Sequence, residues 1–147
     1  MKGKVVAVCV SGTKGTPKTD VGTGFLVAGE GIEGDAHSGF MHRQVSMLAM
    51  EDIETMKAAL PDLIPGSFAE NITVEGFDLE TLKIGDRIRV GEALLELSQI
   101  GKECHTKCAV YHKTGDCIMP KKGLFFIVVE GGKVSVGDTV SAPPVQR

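Results

Sequence analysis

The chain has 147 residues, a net charge of −3 at pH 7, 5% aromatic residues and no Trp. That length fits a single domain, large enough to bury about 70% of its unfolded surface without a disulfide or metal staple. A slightly acidic chain poor in aromatic rings lacks both the basic footprint and the stacking platforms of a nucleic-acid binder.

The opening MKGKVVAVCV is too briefly apolar for a secretory segment, and no apolar run approaches the roughly 20 residues of a membrane helix. A cytoplasmic protein without membrane contact is therefore expected, with its cysteines reduced. Strands are predicted at 4–11, 24–28, 43–50, 71–76, 87–91, 93–100, 124–132 and 138–142, all short and most rich in β-branched residues. Short strands parted by Gly-containing turns point to a barrel or sandwich. One helix is predicted over 51–60, where Ile53, Met56, Ala59 and Leu60 share a face and Pro61 ends the run. A second is predicted from Cys104 to about Tyr111, broken by Gly115. The single domain has its core at about 4–142, and 143–147 reads as a frayed tail.

Two stretches echo each other. KIGDRIRVG (83–91) and SVGDTVSA (135–142) both place Gly-Asp just before a strand. Gly supplies positive φ for the turn, and Asp can accept from the turn's own backbone. No longer period marks a repeat protein.

The segment 29–45, GEGIEGDAHSGFMHRQV, is rich in Gly and then in His and Arg. It matches neither a phosphate-binding P-loop nor a dinucleotide fingerprint. It reads either as a long connecting loop or as an anion-binding loop in which Arg43 makes a bidentate contact. His37 and His42 are five apart, which on a strand puts them on opposite faces and argues against a shared metal. Glu70 and Asn71, by themselves, read as turn residues at the mouth of a strand.

Residues 100–117, IGKECHTKCAVYHKTGDC, hold three of the four cysteines. Three readings stay open on spacing alone. A zinc site could use Cys104, Cys108, Cys117 and a His, although no second close pair follows the first. A redox pair is disfavoured because the spacing is not C-x-x-C. A single working thiolate at Cys104 would gain from a helix start and from Lys102, His105 and Lys107, with Glu103 opposing. Cys9, Cys108 and Cys117 are then small buried hydrophobes.

These segments, in this order, resemble the MOSC domain, named for the C-terminal part of molybdenum cofactor sulfurase. The resemblance lies in GIEGDAHSGFMHRQVSML (31–48), PGSFAENITVEGFDLETLKIGDRIRVGEALLELSQ (65–99), GKEC (101–104) and LFFIVVEGGKVSVGDTV (124–140). It implies a mostly β MOSC-like barrel with a few short flanking helices. It also implies binding of the molybdenum cofactor, molybdopterin, in cofactor maturation. Cys104 would carry sulfur as a persulfide or ligate molybdenum, and His37, Arg43, Asn71 and Lys102 would surround the cofactor. Many members have Pro-Cys where this chain has Glu103-Cys104. The pyridoxal-phosphate domain of larger relatives is not among these residues. The implied partners are a sulfur donor such as a cysteine desulfurase and a molybdoenzyme acceptor. Two other expectations compete: a stand-alone reductase of N-hydroxylated compounds, and a zinc-stabilised binding module.

Overall fold

A computed structural model of the protein describes residues 2–11, 18–35, 44–58, 62–66, 70–101 and 123–142. Within these residues the strands are β1 (Lys2–Val10), β2 (Thr19–Asp20), β3 (Thr23–Val27), β4 (Gly31–Ile32), β5 (Val45–Ala49), β6 (Ile72–Glu75), β7 (Arg87–Val90), β8 (Ala93–Ile100), β9 (Leu124–Glu130), β10 (Gly132–Ser135) and β11 (Thr139–Ser141). One helix, α1 (Met50–Met56), follows β5, and a 3-10 turn spans Leu79–Thr81. The strands β11-β7-β8-β9-β5-β6-β1 are hydrogen-bonded in that order, and β1 pairs back onto β11. The result is a closed seven-stranded barrel. Only β5 and β6 pair in parallel within it.

The inward side chains explain why the sheet closes. Val5, Met47, Ile72, Val74, Ile88, Leu95, Leu97, Phe126 and Val140 form one buried cluster. Removing such residues from water is the main favourable contribution to folding, roughly 1.5–3 kcal/mol for each large side chain. Closure also leaves the barrel strands with no open edge. The mostly β barrel expected from the sequence is the architecture found.

A small second sheet, β10-β3-β4, lies beside the barrel. Burial along β3 alternates strictly, with Gly24 and Leu26 inward and Thr23, Phe25 and Val27 outward. The sequence pattern reads 124–132 as one strand, whereas the chain changes sheets at Gly131. A Cβ there would lie 2.5 Å from the Leu26 carbonyl oxygen, so only Gly permits this approach. On β10, the Lys133 N–H donates to Glu92 Oε1 and the Ser135 N–H to Asp138 Oδ2.

The paired Gly-Asp turns behave alike. Gly85 and Gly137 have φ of 95° and 92°. Asp86 Oδ2 accepts from the Lys83 N–H at 2.9 Å, and Asp138 Oδ2 accepts from the Ser135 N–H at 2.8 Å. The strands they start, β7 and β11, are neighbours, with Val90 opposite Val140.

The helix is described over Met50–Met56, within one residue of its expected start. Ile53 is buried, and Glu51 and Asp52 occupy the first turn, where the helix dipole favours negative charge. The predicted continuation through Ala59 and Leu60 lies outside the described residues, as does the predicted helix from Cys104. The two-residue strands β2 and β4 have no apolar alternation long enough to read from sequence.

Candidate functional site

Where β1 ends and β5 and β6 begin, the barrel wall turns polar. Asn71, just before β6, is fully buried. Its Oδ1 accepts from the Ser46 N–H at 2.9 Å and the Ser46 hydroxyl at 3.2 Å. Its Nδ2 donates to the Cys9 carbonyl at 3.1 Å. One amide therefore joins β1, β5 and β6. Glu70, equally buried, accepts from the Gly66 N–H at 3.0 Å and the Thr73 hydroxyl at 3.1 Å.

Next to this lies a buried ion pair. Lys18 Nζ is 2.7 Å from Asp35 Oδ1, and both side chains are wholly shielded from solvent. The same oxygen accepts from the Ser11 N–H at 3.0 Å. The Lys18 backbone N–H donates to the Gly66 carbonyl at 2.8 Å. Gly66 has φ of 95°, and a Cβ on it would collide with the Lys18 carbonyl. Among the described residues, no buried side-chain nitrogen or oxygen lacks a hydrogen-bond partner. Such complete satisfaction is what makes a buried polar cluster tolerable.

Cys9 sits in this wall without solvent exposure. Burial, and then the negative charges of Glu70 and Asp20, push its thiol from 9.0 up to about 12, against a downward pull from Lys18. It stays a neutral thiol at physiological pH, neither nucleophile nor metal ligand. This agrees with its reading as a small buried hydrophobe.

Of the five residues expected to bind the cofactor or carry its chemistry, the structure describes Asn71 and not the others. Cys104, Lys102, His37 and Arg43 lie outside the described residues, as do Cys108 and Cys117. The strands at their bases are described. Residues 36–43 run into Gln44, whose N–H donates to the Phe126 carbonyl at 3.2 Å. Its side chain donates to the Gly29 carbonyl and accepts from the Val128 N–H. Residues 102–122 leave from Gly101 and return at Gly123, joined by a 2.6 Å hydrogen bond from the Gly101 N–H. Leu124 then pairs with Ile100 on β8 and with Met47 on β5. The bases of both segments thus stand on adjacent strands. β5 and β9 are antiparallel, with Val45 opposite Phe126 and Met47 opposite Leu124, so Gln44 and Gly123 stand at opposite ends of the paired stretch.

Sequence reasoning missed the Lys18–Asp35 pair and the role of Ser46. Lys18 follows a Pro and precedes a Thr, like any exposed loop lysine. No local signal announces a partner 17 positions away. Among the described residues, no group of three or more His, Cys, Asp or Glu is arranged to hold a metal ion.

The polar wall lies where residues 12–17, 36–43 and 67–69 join the described strands, and connecting segments on a rigid scaffold are where binding residues commonly sit. The chain belongs to the MOSC domain family, whose signature matches residues 34–141. Solved structures share the fold at low identity. The YuaD protein of Bacillus subtilis superposes with a TM-score of 0.75 at 21% identity, covering 95% of this chain and 94% of its own. YiiM from Geobacillus stearothermophilus gives a TM-score of 0.75 at 23% identity, with 99% and 76% covered. YiiM from Escherichia coli gives 0.69 at 23%, with 100% and 71% covered. Nothing among curated proteins matches the chain.

Proposed function

We propose that this chain binds the molybdenum cofactor and acts in its maturation, with Cys104 carrying sulfur or ligating molybdenum. Family membership carries the reading. The residue types suit the group: a soft thiolate at Cys104 for the metal, and Arg43, His37 and Lys102 for the phosphate. When bound, the cofactor would supply a metal centre that accepts sulfur. Asn71 contributes from the wall by fixing Ser46 and the end of β1, since its amide is engaged there.

The sulfur-carrier step balances without an added oxidant. The Cys104 thiolate attacks the outer sulfur of a donor persulfide, the donor S–S bond breaks, and the donor leaves as thiolate. Cys104 then holds the persulfide. Lys102 would favour the thiolate, and Glu103 would oppose it.

The test is intact-protein mass spectrometry after incubation with a cysteine desulfurase and cysteine, with and without reductant. A gain of one sulfur that reductant removes, absent in Cys104→Ser, is expected. Anaerobic loading with cofactor should also give a molybdenum-bound protein, and the same variant should lose most of it. Equal sulfur uptake and equal loading in Cys104→Ser would sink the proposal.

A further inference from the structure

We propose that the outer face of the small sheet is the contact surface for a second copy of this chain. The contact is independent of the cofactor reading above. Thr23, Phe25 and Val27 point away from the core along β3, and Phe25 is 57% exposed. A hollow beside Phe25 is walled by Val10, Val21, Thr23 and Glu33. Val21 and Val27 are exposed as well. Apolar side chains grouped on one face, rather than scattered singly, mark an interaction surface.

The charges on either side of Phe25 identify the occupant. Lys133 on β10 stands directly opposite Phe25, and directly opposed residues share a face of the sheet. On the other flank, the Glu33 N–H donates to the Phe25 carbonyl at 2.9 Å. That continues the register in which Ile32 faces Leu26. One row across the sheet therefore reads Lys133, Phe25, Glu33, with all three exposed. Adjacent strands lie about 4.8 Å apart, so the two charged residues flank Phe25 about 10 Å from one another. Among the described residues, neither side chain has an ion-pair partner.

A row that is positive at one end and negative at the other complements itself. A two-fold axis lying along β3 sets Phe25 on Phe25 and Val27 on Val27. The same axis puts each Lys133 over the Glu33 of the other copy. The Lys133 stem then crosses the hollow beside Phe25, where Val10 and Val21 offer apolar contact. Such a contact is isologous and closes at two copies. Three short strands present less than the about 800 Å² per partner of a stable complex, so the dimer is a weak one.

The test is sedimentation velocity on the full chain, in reductant and low salt, from about 10 μM to about 1 mM. The sedimentation coefficient should rise with concentration toward that of a dimer. Phe25→Ser should raise the dissociation constant at least about tenfold. Glu33→Lys or Lys133→Glu alone sets like charges against each other across the axis, and each should weaken the dimer about tenfold. The double variant Glu33→Lys/Lys133→Glu restores opposite charges across the axis and should recover most of the loss. Unspecific clustering of apolar side chains would give no such recovery.

Wild type that stays monomeric over the whole range overturns the proposal and leaves the face to solvent or to another partner. So does a dimer that Phe25→Ser leaves intact, or one that the double variant weakens as much as either single change.

Discussion

Two regions of the barrel solve the same problem, how to hold a strand entrance, in different ways. At Gly85-Asp86 and Gly137-Asp138, each Asp accepts from a backbone N–H three residues away. Where β1 ends, the work is done by Lys18, Asp35, Ser46, Glu70 and Asn71, through buried side-chain bonds spanning up to 62 positions. The first arrangement is local, at least partly solvated and tolerant of change. The second is non-local and dry, and a single loss leaves a polar group stranded. A fold can use local turns where one chain segment reverses and keep non-local polar contacts for places where distant parts of the chain must meet.

Breaking one half of the ion pair should give the largest difference between the two regions. Lys18→Met leaves the Asp35 carboxylate buried without its cation, so a loss of about 3–5 kcal/mol is expected in urea unfolding. Gly66→Ala should follow, at about 1–3 kcal/mol by the same measurement, since a positive φ and the Lys18 carbonyl both oppose a Cβ. Asp86→Ala at the local turn should cost only about 0.5–1 kcal/mol. If Asp86→Ala equalled Lys18→Met, the contrast would be void.

A pH experiment sharpens the contrast more gently. The folded Cys9 thiol titrates near 12, above its ordinary 9.0. Below pH 9 both folded and unfolded states hold the proton, and its contribution to stability is fully present. Between pH 9 and 12 the unfolded chain binds fewer protons than the folded one, so stability falls as pH rises. The slope from this residue is at most about 1.4 kcal/mol per pH unit. Comparing unfolding of wild type and Cys9→Ala across that window should show the variant with the shallower decline.

What could be read from the sequence divides along the same line. The barrel strands were legible because they are short, largely β-branched apolar runs bounded by Gly-containing turns, and both Gly-Asp turns because their hydrogen bonds close within three residues. Cys9 was legible as structural from its place inside a β-branched run. Gly131 hid the change of sheet, since its reason is a close approach to Leu26, more than 100 positions earlier. Asn71 could be picked out only through the family resemblance. Its partners Ser46 and Cys9 lie 25 and 62 positions away, and no local pattern encodes such a meeting. Cys104, Lys102, His37 and Arg43 were likewise singled out largely by that resemblance, and their placement lies outside the described residues.

The carboxylates of Glu92 and Asp138 carry a consequence for behaviour in a crowded solution. Each occupies an N–H on the side of β10 that faces away from β3. A neighbouring molecule seeking to add a strand there would meet donors already spoken for and two negative charges. Self-association into edge-to-edge polymers is disfavoured on that side, even at the high concentrations where other small sheets begin to aggregate.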